Sequence, residues 1–143
     1  MTMQALSDVR VLDLTHHIAG PYCTKMLADY GADVLKLERP GVGDVTRTMG
    51  PFPDDEPHPE KSGLFLHLNT NKRGITLDLK NATGRSIFLD LIKNIDVVIE
   101  SFAPRTMPSL DLSYRTLEQI NPRIILVSIS NFGQTGPYRD YKA

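Results

Sequence analysis

Strand-like and helix-like stretches alternate along this chain from residue 9 to residue 130, and that alternation constrains the fold more than any other feature of the sequence. Val9 to Leu14 is a short apolar run broken only by Arg10 and Asp13, which predicts a buried strand followed by a loop at Thr15-His16-His17. Gly20-Pro21 then opens a helix, with Pro21 at the first helical position, where a missing N–H has no intrahelical partner to lose. Cys23, Met26, Leu27 and Tyr30 follow at helical spacing until Gly31 supplies a stop. Asp33 to Glu38 is the next strand. A β-α-β unit of roughly 30 residues results, and its two strands are expected to run parallel through a right-handed crossover.

From Arg39 to Lys61 the periodicity lapses, and repeated Pro and Gly predict a long surface loop, either a ligand-facing excursion or a mobile arm, with Asp54-Asp55-Glu56 as its solvated tip. Gly74 to Lys80 alternates apolar and polar residues as a half-buried strand does. Asn81 or Thr83 caps a helix carrying Ile87, Leu91 and Ile92, and Asp96 to Glu100 returns as a strand. Tyr114 to Ile120 is a short helix closed by Asn121-Pro122, and Ile124 to Ser130 is the last strand. The expected architecture is α/β, a mainly parallel Rossmann-like sheet with flanking helices, with no second domain within residues 1–143.

Function classes drop out on composition. A net charge of −1 gives no reason to expect a nucleic-acid or membrane-surface partner. Cys23 is the single cysteine, so no internal disulfide can form, and a reducing cytoplasm is the expected setting. No run approaches a membrane span, and the start lacks the basic and apolar blocks of a signal peptide.

Ligands of open α/β sheets bind beyond the carboxyl ends of the strands. Three loops qualify: Thr15 to Gly20, Ser101 to Thr106, and Asn131 to Tyr138. The first holds one glycine followed by proline instead of Gly-x-Gly-x-x-Gly, which counts against a dinucleotide-dependent oxidoreductase, and no Gly-x-x-x-x-Gly-Lys-Ser/Thr loop is present. His16, His17, His58 and His67 lack partners at metal-ligand spacing, so no metal is expected. Arg39, Lys72, Arg73 and Lys80 flank strands or glycine-bearing turns, and each is a candidate phosphate donor as well as a candidate solvated cation.

An ordered set of motifs carries a resemblance over nearly the whole chain. Arg10-Val11-Leu12-Asp13-Leu14, Ala19-Gly20-Pro21-Tyr22-Cys23 and Leu27 to Val34 are followed by Lys36-Leu37-Glu38-Arg39-Pro40, Gly43-Asp44 and Asn71-Lys72-Arg73. Then come Leu77 to Lys80, Asp96 to Phe102, Asn121-Pro122-Arg123 and Gly133 to Tyr138. The chain resembles the family III CoA-transferases, with acyl-CoA and a carboxylate acceptor as substrates and an interlocked homodimer as the assembly. The resemblance implies that His17, Ile18 and Ala19 line the coenzyme A path and that Arg39 meets its nucleotide end. Leu77, Asp78, Leu79, Lys80, Ser101, Phe102 and Ala103 form more of that site, and Lys142 falls in its last segment.

No catalytic residue is assigned within the chain, because the family's nucleophilic aspartate is expected beyond Ala143. The chain therefore reads as the N-terminal part of the enzyme's large domain. Ser101 stands where Asn is usual before Phe102, Arg105 follows Pro104 where glycine is frequent, and Ser109 replaces a basic residue. The same family holds 2-methylacyl-CoA racemases and epimerases. Lys142-Ala143 differs from the Ala-Gly that precedes the racemase histidine, which favours transferase. A non-catalytic CoA-binding remnant is the third reading.

Overall fold

The computed structural model describes residues 4–141. Five strands form one sheet: β1 (Arg10–Leu14), β2 (Asp33–Glu38), β3 (Arg73–Thr76), β4 (Val97–Glu100) and β5 (Ile125–Ser128), in the order β3-β2-β1-β4-β5. All four pairings are parallel, with Leu12 opposite Leu35 on one side and Val98 on the other. The helices are α1 (Ala19–Asp29), α2 (Gly63–Leu68), α3 (Ala82–Ile92), α4 (Thr106–Ser109) and α5 (Tyr114–Ile120). The expected α/β architecture is therefore present.

Strand alternation sorts the core into two layers. Leu12, Leu14, Leu37 and Val98 point to the face where Phe88 and Ile92 of α3, Met107 of α4 and Leu117 of α5 pack. Val11, Val34 and Ile99 point the other way, against Ala28 of α1. On that second face the apolar pattern of β1 and β2 stops short of their carboxyl ends. The next residues in phase are Asp13 and Lys36, which are register partners and buried.

The helix ends follow local chemistry. Asn81 accepts the Gly84 N–H at 2.6 Å and so caps α3, while Ser113 accepts the Thr116 N–H at the start of α5. Helix α1 ends in a Schellman arrangement: the Gly31 N–H reaches the Ala28 carbonyl, the Ala32 N–H reaches the Leu27 carbonyl, and Gly31 sits at φ 103°, a value that suits glycine.

Several expectations need correction. Helix α1 begins at Ala19, so Pro21 is its third residue, still within the turn whose N–H groups lack intrahelical acceptors. Its buried stripe is Gly20, Pro21, Thr24 and Ala28, small enough for close approach to the sheet, and Met26 and Tyr30 are exposed. The strand expected over Gly74 to Lys80 is only Arg73–Thr76, because β2 ends at Glu38 and offers no further ladder; Leu79 turns instead into the core beneath α3. Helices α2 and α4 were not anticipated, α2 because Phe65 and Leu68 are too few apolar positions to display a period.

The long loop is anchored at several points. Asp44 is fully buried and caps a 3-10 turn at Val45–Thr48 through the Thr46 N–H at 2.9 Å. Arg47 holds Glu38 bidentately at 2.7 and 2.9 Å and lies 3.7 Å over the Phe65 ring. Ser62 joins the loop's two ends, its hydroxyl 2.7 Å from the Thr46 carbonyl and 3.1 Å from the Phe65 N–H that it accepts.

Candidate functional site

The chain runs outward from β1 through β2 to β3, then crosses back to β4 on the other side of β1. The two loops that diverge at this reversal are those after β1 and β4, and a crevice at such a switch point is where α/β sheets take ligands. The His16 N–H spans it, donating to Ser101 Oγ at 2.9 Å, and the His16 ring lies 5.9 Å from that of Phe102.

Two cavities flank this junction. One, of about 500 Å³, gathers His17, Arg39, Leu77, Asp78, Leu79, Lys80, Ser101 and Phe102 from the expected residues, and adds His16, Leu37, Val42, Val45, Thr48 and Leu110. The second, of about 540 Å³, shares His16, His17, Ser101 and Phe102 and takes in Ala19, Ala103, Ile129, Phe132, Arg139 and Tyr141. Ile18, the residue before α1, is exposed and lines neither. Lys142 lies outside the described residues.

The four basic candidates divide. Arg39 and Lys80 are exposed at the first cavity and have no carboxylate partner among the described residues. Arg73 faces the opposite end of the sheet and is spent on Asp33 at 2.7 Å. Lys72 is also unsuited to a phosphate: its side chain is 1% exposed and its ammonium meets Asp13 Oδ2 at 3.0 Å, the Pro21 carbonyl at 2.9 Å and Asn69 Oδ1 at 2.9 Å. Burial pushes the Lys72 pKa down, and the Asp13 carboxylate opposes that shift.

Asp13 organises the turn after β1. One carboxylate oxygen accepts the Thr15 N–H at 2.9 Å and its hydroxyl at 2.5 Å; the other accepts Thr24 Oγ1 at 2.6 Å. Lys36 donates to the Thr15 carbonyl at 2.9 Å and stands 2.9 Å from Asp44 Oδ2. The second contact is ionic, since Oδ2 accepts no well-directed hydrogen bond. Burial raises the Asp44 pKa, but the Lys36 charge and the Thr46 bonds outweigh it and leave the group below the ordinary carboxylate value. His17, beyond this braced turn, adopts φ 65°, a left-handed conformation uncommon for a residue with a side chain.

His16 is the site residue that motif reading passed over, although its place directly beyond β1 was the available signal. It lines both cavities, and its Nδ1 lies 4.0 Å from Asp44 Oδ2. Burial lowers its pKa below 6.5, Asp44 opposes, and Lys36 and Arg39 reinforce the shift, so the ring is neutral at physiological pH and can give or take one hydrogen bond. Val42, Val45 and Thr48 were hidden in a segment without periodicity.

The first cavity is mainly apolar in its lining, with Arg39 and Lys80 exposed beside it and His16, His17, Ser101 and Phe102 shared with the second. Among the described residues, no group of three or more His, Cys, Asp or Glu is gathered as for a metal ion, and no helix is long and apolar enough to cross a membrane.

The model of CoA-transferase family III matches residues 6–143. The chain belongs to CoA-transferase family III. It is 48% identical over 139 residues to an acyl-CoA transferase of Fusarium pseudograminearum, covering 94% of this chain and 30% of that protein. A formyl-CoA:oxalate CoA-transferase of Bradyrhizobium diazoefficiens is also 48% identical over 139 residues, covering 97% and 32%. Among solved structures, a CAIB/BAIF family protein from Brucella suis superposes with a TM-score of 0.87 at 38% identity, over 97% of this chain and 36% of that one. A Mycobacterium tuberculosis protein gives the same TM-score at 34% identity, over 98% and 38%. The chain thus spans about a third of the length of these family III relatives.

Proposed function

We propose that residues 1–143 form the coenzyme A-binding, N-terminal part of the large domain of an enzyme that transfers CoA from an acyl-CoA thioester to a carboxylic acid. The carrying observation is the slot at the sheet's switch point, where Leu37, Val42, Val45, Leu77, Leu79 and Phe102 line an apolar cavity and Arg39 and Lys80 have no carboxylate partner among the described residues. An adenine ring matches the apolar walls, and two cations match its phosphates. From there the pantetheine arm passes His17, Ala19 and Ala103 toward the second cavity.

In this reading the nucleophile is an aspartate outside residues 1–143. Its carboxylate attacks the donor thioester, expelling CoA thiolate and forming an acyl-aspartyl anhydride. The thiolate then attacks the aspartyl carbonyl, releasing the donor acid and leaving an aspartyl-CoA thioester. The acceptor carboxylate attacks the aspartyl-CoA carbonyl, expelling thiolate and forming a second anhydride; the thiolate then attacks the acceptor's acyl carbon, giving the new acyl-CoA and freeing the aspartate carboxylate. Each step breaks one acyl bond as it forms another, which divides a hard exchange into easier ones. An interlocked homodimer and a cytoplasmic setting belong to the same proposal. Two of the relatives are named as CoA- or acyl-CoA transferases, which supports this reading over a racemase.

Arg39→Ala tests it. In the full-length protein, CoA binding is expected to weaken by about 1.5 to 3 kcal/mol, roughly one to two decades in Kd, and Arg39→Lys to recover part of that. Calorimetric titration with CoA and dephospho-CoA reads both the loss and the phosphate responsible. Unchanged affinity in Arg39→Ala would remove the slot as the nucleotide site. The chain of residues 1–143 by itself is expected to show no turnover.

A further inference from the structure

Lys36 sits on the face of β2 that also carries Val34, where an aliphatic side chain would be the cheaper residue to bury. Lys72 is likewise withdrawn from water, its side chain 1% exposed. Both ammonium groups pair with a buried carboxylate, and both direct a further hydrogen bond to a main-chain carbonyl. The two carbonyls bracket one segment: Lys36 holds that of Thr15, the first residue after β1, and Lys72 holds that of Pro21, in the first turn of α1.

Between these points lie His16, His17, Ile18, Ala19 and Gly20, four of which line one or both cavities. Its other ties are the Tyr22 N–H to the Ile18 carbonyl and the Thr24 hydroxyl to the carbonyls of Gly20 and Pro21. The His16 N–H bonds Ser101 Oγ, Ile18 gives α1 no side-chain cap, and His17 is left-handed at φ 65°. A strained conformation persists only where its surroundings over-determine it. Removing water from four charges is a poor route to stability, but two charge pairs tied to carbonyls fix a short segment in position at both ends.

We propose that Lys36 and Lys72 are positioning residues that clamp the segment from Thr15 to Pro21, setting the His16 and His17 wall against which a ligand is held. Neither lysine lines either of these two cavities, so each acts through the segment it holds. That the ligand is a CoA thioester rests on the function proposed above; that the segment is clamped does not.

The test uses paired substitutions in the full-length protein, so that no buried carboxylate is left without its cation: Lys72→Met with Asp13→Asn, and Lys36→Met with Asp44→Asn. Asparagine retains an acceptor oxygen for the Thr15 or Thr46 N–H. Hydrogen exchange is followed on the peptide spanning residues 15–21 and on the β2 and β4 strands, with Arg73→Ala as a surface-pair control. CoA affinity is measured by calorimetry, and kcat and KM with an acyl-CoA donor.

The expected result is exchange at 15–21 faster by roughly tenfold or more, with β2 and β4 still protected and a CoA Kd or KM raised roughly tenfold. Arg73→Ala should change none of these. Unaltered exchange at 15–21 in both paired variants would overturn the clamp. Faster exchange with unaltered Kd, KM and kcat would overturn the positioning role and leave a structural one. If the unsubstituted protein binds no CoA, the functional reading fails separately, and exchange alone decides the clamp. Should the Lys72 pair fail to fold, the Lys36 pair, which keeps Asp13 and its bonds to Thr15 and Thr24, decides the question.

Discussion

Among the described residues, exposed ion pairs occur at both ends of the sheet, whereas fully buried ones occur at its carboxyl-terminal end alone. At the amino-terminal end, Arg73 and Asp33 meet at 2.7 Å with side chains 69% and 46% exposed, and nearby Lys93 pairs with an equally solvated Asp90. At the carboxyl-terminal end, Asp13, Lys36, Asp44 and Lys72 are withdrawn from water and joined to backbone at Thr15, Pro21 and Thr46. Solvent and salt screen the first pairs, so they contribute little. The second set was desolvated at a cost that only complete pairing offsets. The buried set therefore shapes the carboxyl-terminal end, which is the end that holds the switch-point crevice.

The largest effect that would break this contrast is at Asp13. Asp13→Leu strips acceptors from Thr15 and Thr24 and leaves Lys72 buried without its carboxylate, so a loss of about 3–5 kcal/mol is expected in urea unfolding. A loss no greater than that of Asp33→Ala would erase the distinction.

Next comes Gly84, whose added Cβ would run into the Asp78 backbone carbonyl, whereas one on Gly74 meets nothing within 4 Å. Gly84→Ala should cost about 1–3 kcal/mol and displace the Leu77 to Lys80 wall, weakening CoA binding. Gly74→Ala should be neutral or slightly stabilising. The two denaturation midpoints give the comparison directly.

A pH titration sharpens the contrast through His16. Its folded pKa lies below 6.5, so between those values the unfolded chain binds more protons, and stability falls as pH drops from 6.5 through the folded value. His16→Phe should remove that slope. Asp44 and Glu38 are both held below their ordinary values, Glu38 against its burial by Arg47 and the Asp44 N–H. Their contribution is complete above the unfolded values of 3.8 and 4.5 and is lost as pH falls through the depressed ones. A slope near pH 6 that survives His16→Phe would assign it elsewhere.

The smallest effect belongs to Arg73→Ala, expected to cost about 0.2–1 kcal/mol at low salt and less at high salt. A cost that resists salt would mean that the amino-terminal end is not screened as its exposure implies.

Strand and helix identities were legible because each is written locally: short apolar runs at β1, β2 and β4, the Asn81 cap before α3 and the Asn121-Pro122 stop after α5. The edge that holds the site was legible for the same reason, since parallel strands put all their carboxyl ends together. Lys72 was misjudged because a lysine beside a strand reads the same whether it faces solvent or a carboxylate 59 residues away in the chain. The tethering of the long loop was equally hidden, since Arg47 and Glu38 have no periodic relation.

Sequence by itself thus determined the sheet, its parallel sense, the residues at its carboxyl edge and the family, all of which rest on short-range pattern and on motif order. Tertiary structure alone decided which cations stay free to meet a ligand. Arg39 and Lys80 remain exposed, while Lys36 and Lys72 are withdrawn to brace the turn beneath them. The physical reason is that a charge's role depends on its desolvation and its partners, and both are set by contacts between residues far apart in the chain.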